Sequence, residues 1–216
     1  MSDAKSRILS RLRAAPARPL PERPDWSPPS YGDGRKDKFR KMLEASHADV
    51  HEVTRADWPS LLRRILADKG VSAMLYAPGT ATGKQLAADW AGAAAPRLLP
   101  YDRGIEEMKS VLVHDAEAAV TTARGGIAQT GALVLWPDAD EPRLMSLLPP
   151  IHVVLVEEDT ITDSLAATMA AQGWAGGMPT NAILVSGPSK TADIEQTLAY
   201  GVHGPKELIV LVIGRE

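Results

Sequence analysis

The sequence predicts an α/β protein with three layers around a mostly parallel sheet, and three observations carry that prediction. Apolar runs rich in Val, Ile and Leu, such as IHVVLVEE and ELIVLVI, recur between helix-like segments, and strands of that kind are covered on both faces. The alternation runs from about residue 37 to the end with no internal repeat. Hydrophobic residues fill 44% of the 216 positions, enough for one sizeable core.

Each element has its own reason. DKFRKMLEAS carries helical spacing through Phe39, Met42 and Leu43, and DVHEV follows as a short strand. DWPSLLRRILADKG reads as a helix capped by Asp57, with Pro59 in its first turn and Gly70 as its stop. VSAMLYAP is a buried strand, GTATG a turn, KQLAADWAG a helix, RLLPY a short strand and IEEMKSVLVHD a helix. AAVTTA and GALVLW are strands on either side of RGGIAQT, and AILVS is another. TDSLAATMAAQ and TADIEQTLAY are expected helices, the second capped by Ser189 or Thr191 and stopped by Gly201, with Ile194 and Leu198 facing the sheet.

Residues 1–36 form a basic, Pro-rich N-terminal arm, and 37–216 the folded domain. Residues 1–41 hold eleven Lys or Arg against five Asp or Glu, a net +6, and the remainder thirteen against twenty-two, a net −9. PARPLPERPDWSPPSYG suggests an extended arm with little core of its own. It is either a solvated tail or a docking arm for an acidic partner, the acidic body of a second copy included, which would make a homo-oligomer. Nucleic acid is not expected, because basic and aromatic residues do not recur together through the folded part. No apolar run is long enough for a membrane span, and the start lacks the uncharged core of a secretory signal, so a cytoplasmic location is expected. The chain has no cysteine, so it offers no disulfide, thiolate metal site, Cys-ligated iron–sulfur cluster or Cys nucleophile. The five histidines include one i, i+4 pair, His47 and His51, but a strand begins between them and no metal site is expected.

Ligands of such sheets sit at the carboxyl ends of strands, a rule that selects three loops. PGTATGK at 78–84 lacks the GxxxxGK[ST] phosphate loop, with Gln85 where a hydroxyl is needed, and reads as a plain strand-to-helix turn. In ARGGIAQTGALVLW, Gly125 and Gly126 permit close approach of backbone or ligand. Gln129, Thr130 and Gly131 then offer hydrogen bonds, and Arg124 a bidentate anion contact, unless the loop is only a tight connection whose polar side chains satisfy their own backbone. The third loop, GPSKTAD, brings Gly187, Ser189, Lys190, Thr191 and Asp193, where helix N–H groups beside Lys190 suit a small anionic metabolite. Against that, Asp193 and Glu195 in the first turn can themselves satisfy the helix N-terminus, and Asp193 favours a ligand with hydroxyls or amides to donate. His203, between Gly201 and Gly204, is either a proton carrier or a turn residue bonded to backbone. The second and third loops are expected to share one cleft, with Gln129, Asp193 and His203 as candidate catalytic residues.

Three segments, GIAQTGALVL at 126–135, PRLMSLLPPIHVVLV at 142–156 and GPSKTADIEQTLAYGVHGPKELIVLVI at 187–213, resemble the LUD domain, the lactate-utilisation protein C family, over roughly residues 40–216. The resemblance implies the NagB/RpiA/CoA-transferase-like fold. It also implies a part in oxidising L-lactate to pyruvate beside two partner proteins that carry iron–sulfur clusters, with no cofactor in this chain. Where many relatives look like AETG, this chain has Gln129, which cannot act as a carboxylate base or nucleophile but still hydrogen-bonds. Whether this subunit is itself catalytic stays open. The alternative is a stand-alone enzyme or binding module for a small phosphorylated or CoA-linked metabolite.

Overall fold

The computed structural model describes residues 2–15, 22, 27–92, 96–192 and 198–214. In chain order the first half holds α1 (Ser2–Ala14), α2 (Arg35–Ala45), β1 (Asp49–Val53), α3 (Trp58–Asp68), β2 (Ala73–Tyr76), α4 (Ala81–Asp89) and β3 (Arg97–Pro100). Then come α5 (Ile105–Ser110), running on as a π-helical turn to Asp115, and β4 (Ala118–Thr122), β5 (Gly125–Ile127) and β6 (Ala132–Leu135). The rest is β7 (Ile151–Glu157), β8 (Ile161–Thr162), α6 (Leu165–Ala171), β9 (Ile183–Val185), β10 (Lys190–Ala192), β11 (Leu198–Tyr200) and β12 (Glu207–Ile213).

Six strands make one sheet in the order β1-β12-β7-β4-β2-β3, parallel throughout. Because successive side chains point to opposite faces, the continuous apolar run of β12 serves two cores at once. Ile209, Leu211 and Ile213 pack with Trp58, Leu62 and Leu66 of α3 and Leu86 of α4 on one face. Leu208, Val210 and Val212 pack with Phe39 and Leu43 of α2 and Leu133 and Leu135 of β6 on the other. The second face also takes Met108 of α5 and Leu112 of the π-helical turn, against Leu75 of β2 and Ala119 of β4. The three-layer α/β arrangement expected from the sequence is thus what forms.

A second sheet, β8-β5-β6-β9, lies within that outer layer. GALVLW and AILVS therefore leave the parallel sheet and pair antiparallel with each other, Leu133 opposite Val185. The Gly125–Gly126 pair makes this possible. A Cβ on Gly126 would lie 2.8 Å from the Phe39 ring, and one on Gly125 2.7 Å from the Thr160 carbonyl oxygen, so both glycines serve close packing.

Two further expectations are corrected. TADIEQTLAY is not a helix over its described residues: Lys190–Ala192 and Leu198–Tyr200 pair as an antiparallel hairpin, Thr191 opposite Ala199. Ser189 and Thr191 therefore cap nothing, while Ile194 lies outside the described residues. In the arm, residues 2–14 form a helix, not an extended chain, and its side chains are exposed from residue 3 onward. Asp57 stands at the N-cap of α3, but its carboxylate accepts the Thr54 hydroxyl at 2.7 Å and leaves the helix N–H groups alone. Thr80 does cap α4, accepting from the Gly83 N–H at 2.9 Å, so PGTATGK is the strand-to-helix turn expected.

Candidate functional site

Local geometry brings the two Gly-Pro pairs at 187–188 and 204–205 together. The Ser189 N–H donates to the Pro205 carbonyl at 2.9 Å, and the Gly201 N–H donates to the Ser189 carbonyl at 2.8 Å. Below them, the Lys206 N–H donates to the Pro150 carbonyl at 2.7 Å, which ties the loop to the starts of β12 and β7. Gly187 presses on the turn after α2, where an added Cβ would meet the Ser46 carbonyl oxygen at 2.3 Å, so only glycine fits there. The next residue, His47, has φ +66, a conformation uncommon for a side chain of its size. Its ring meets Tyr200 edge-on at 5.4 Å, joining the hairpin to the body.

These segments wall a cleft of about 500 Å3 whose lining includes His47, Ser146, His152, Ser186, Gly187, Ser189, Lys190, Tyr200 and His203. Its floor lies at the starts of β7 and β12, where His152 and Leu208 contribute. The cleft therefore opens at the amino ends of the parallel strands, not the carboxyl ends. The loop after β9 points there because β9 belongs to the second sheet and runs against the rule that selected it. At the carboxyl ends of β4 and β2 the space is closed by residues 137–142. Glu141 accepts from the Thr122 N–H and hydroxyl at 2.8 and 2.7 Å, and the Asp140 carboxylate crowds Gly79. Burial pushes the Glu141 carboxyl above the ordinary range, against the pull of those two hydrogen bonds. The remaining hollow beside it, about 10 Å3, has room for a single water at most.

The described lining of the cleft contains no Asp or Glu. One lysine, three histidines and four serines line the space and no described carboxylate does, so the described lining favours an anion. His152 is 1% exposed, and its Nε2 lies 2.9 Å from the Thr121 hydroxyl. Burial pushes this imidazole down from 6.5 to about 3, so it is neutral at ordinary pH.

Of the residues expected from the sequence, Gly187, Ser189, Lys190 and His203 line the cleft. Thr191 sits in β10 outside the lining, and Asp193 lies outside the described residues. The β6/β9 register puts the AQTG turn and the GPSK loop at the same end of the second sheet, but Gln129, Thr130 and Gly131 do not line the cavity. Gln129 and Thr130 are exposed, and Gly131, with φ +63, packs 2.7 Å from the α2 backbone when given a Cβ. Arg124 places its guanidinium 4.0 Å over the Trp136 ring, a cation–π contact on the surface. His47, His152, Tyr200, Ser146 and Ser186 were not selected by sequence reasoning. His152 alone had a signal there, a polar residue opening an otherwise apolar strand. Among the described residues no group of His, Asp and Glu could hold a metal ion, and no helix is long and apolar enough to cross a membrane.

Comparison with known proteins places this geometry among relatives. Residues 36–213 match the model of the LUD domain. An uncharacterized protein of Neisseria meningitidis serogroup B is 32% identical over 218 residues, spanning 97% of this chain and 93% of its own. Lactate utilization protein C of Oceanobacillus iheyensis is 25% identical over 228 residues, 97% of each chain. Its Bacillus subtilis namesake is 34% identical over 119 residues, 53% of this chain and 49% of its own. The crystal structure of a DUF162 family protein from Deinococcus radiodurans superposes with a TM-score of 0.62 at 23% identity, over 86% of this chain and all of the other, a likeness of fold.

Proposed function

The chain belongs to the LUD domain family, and from that premise we propose that it takes part in lactate utilisation, holding a small carboxylate in the cleft beneath the hairpin. The observation that carries the reading is the match to a lactate utilization protein C along nearly the whole of both chains. The described lining, which holds no Asp or Glu, supports it, because L-lactate is an anion and Lys190 is a charged side chain placed to meet it.

Oxidation of L-lactate to pyruvate releases two electrons and two protons. These 216 residues hold no cysteine to ligate an iron–sulfur cluster, and the family resemblance implies iron–sulfur partner proteins in the cytoplasm as the acceptors of the electrons. This chain's part is to bind and position the acid. The test is to delete the gene and to purify the chain with the products of adjacent genes. The reading requires lost growth on L-lactate and co-purification of an iron–sulfur protein; normal growth with no such partner rejects it.

One observation favours a second reading. A cleft near 500 Å3 is in the range that holds drug-sized ligands, more room than a three-carbon acid fills. A phosphorylated or CoA-linked metabolite would use that space. Thermal stabilisation by a sugar phosphate or CoA ester, with no response to L-lactate, would select it.

A further inference from the structure

We infer that His152 donates its Nδ1–H into the cleft, and that this N–H and the Lys190 ammonium together hold the carboxylate of a small organic acid. The inference rests on the reading of the cleft as the metabolite site, and it assigns the group that makes the site selective for an anion.

The argument begins with Thr121. This residue is 4% exposed, sits on β4 beside β7, and makes its side-chain hydrogen bond with His152 Nε2. A hydroxyl always carries a proton that needs an acceptor, and donors left unpaired in an interior are rarer than acceptors left unpaired. The Thr121 hydroxyl therefore donates, and Nε2 accepts. A neutral imidazole carries one N–H, so the proton of His152 must be on Nδ1. The opposite tautomer would put the proton on Nε2 and leave the Thr121 hydroxyl proton without the acceptor that Nε2 provides.

The placement of His152 supplies the second half. The ring belongs to the cleft floor, while Thr121 faces the small hollow on the other side. Thr121 thus fixes the proton from outside the ligand space. Ser146, on the cleft wall, has its hydroxyl committed to the Arg143 carbonyl at 2.8 Å, so it offers a lone pair, not a proton, to the ligand. That leaves Nδ1–H as the ring's remaining polar group, on a residue that lines a space with no carboxylate in its described lining. Burial keeps the ring neutral, so it binds as a dipole whose strength does not change between pH 5 and 8.

The experiment uses the full chain with 15N-labelled histidine. Long-range 1H–15N spectra report which ring nitrogen carries the proton, and His152→Gln assigns the signals. The expected result is a proton on Nδ1, unchanged from pH 5 to 8, whose resonance moves when L-lactate is added. Calorimetric titration with L-lactate and propionate then reads affinity in wild type, Thr121→Val, Thr121→Ser and Lys190→Met. Thr121→Val should weaken both acids about fivefold by releasing the tautomer, and Lys190→Met about tenfold or more. Thr121→Ser, which keeps the hydroxyl, should restore wild-type binding, an outcome that a merely structural role for Thr121 would not give. A proton on Nε2, or unaltered affinity in Thr121→Val, overturns the inference. If neither acid binds the wild type although the proton is on Nδ1, both the carboxylate assignment and the reading of the cleft are overturned. Binding of inorganic phosphate alone, with the same dependence on Thr121 and Lys190, overturns the carboxylate and leaves the cleft as an anion site.

Discussion

Acid should destabilise this protein through His152 in a way one substitution can isolate. The unfolded imidazole titrates near 6.5, while in the fold burial holds it at about 3. Between those values the unfolded chain binds one more proton than the folded one, so stability is complete above 6.5 and falls as pH drops toward 3. Integrating that difference from pH 7 to pH 4 gives a loss of about 3 kcal/mol, a large share of the roughly 5–15 kcal/mol that holds a typical domain. His152→Gln keeps a hydrogen-bonding group beside Thr121 but cannot titrate. Urea unfolding of both proteins at pH 7, 6, 5 and 4 can be followed through the buried Trp58 and Trp90. The wild-type stability should fall more steeply than the variant's, the gap widening by about 3 kcal/mol and moving the midpoints apart by about 1.5 M. Comparing the two curves cancels the carboxylates, which titrate alike in both. Parallel curves to within about 0.5 kcal/mol would mean that the His152 ring reaches solvent or a charged partner, and the argument from burial would fail.

Gly83→Ala would drive a Cβ to 1.8 Å from the Ala77 carbonyl oxygen, backbone against backbone, so a loss of about 3 kcal/mol or more is expected in chemical denaturation. Asp163 takes the Arg35 guanidinium at 2.7 and 3.2 Å and the Tyr31 N–H at 3.2 Å. The Arg35 hydrogen bond, partly opposed by burial, holds its carboxyl below the ordinary 3.8. Its contribution is therefore present above 3.8 and lost as pH falls through the lower folded value, so Asp163→Asn should cost about 1 kcal/mol at neutral pH and converge with wild type in acid. Deleting residues 1–15, whose described side chains from residue 3 onward are exposed, should leave the unfolding midpoint unchanged by calorimetry.

The centre of the main sheet was legible in the sequence because β12, β7, β4 and β2 are buried on both faces. Continuous runs such as ELIVLVI have few alternatives, and their faces separate into Ile209, Leu211 and Ile213 against Leu208, Val210 and Val212. GALVLW carries the same apolar signal, yet it belongs to a different sheet. What diverts it is the packing of Gly125 and Gly126 against Thr160 and Phe39, and no local pattern records a partner more than thirty residues away. TADIEQTLAY failed for a related reason. The i, i+4 pair Ile194 and Leu198 fits a helix, but Thr191 and Tyr200 also suit a strand, and the hairpin register with the His47–Tyr200 contact outweighs local propensity.

The position of the cleft follows from the same diversion. Had β9 joined the parallel sheet, Gly187 and Ser189 would have opened at its carboxyl edge, beside Thr122 and the turn at Gly79. Instead the antiparallel pairing of β9 with β6 reverses it, and the GPSK loop emerges over the starts of β7 and β12. That reversal is what brings Lys190 and His203 above His152, a residue buried in the sheet that reading the loops alone would never have selected. The carboxyl edge is sealed by Glu141 and Asp140, and the cleft lies at the other end of the strands. The glycine pair at 125–126 thus acts at a distance, by setting which sheet β6 and β9 belong to and hence which end of the strands carries the cleft.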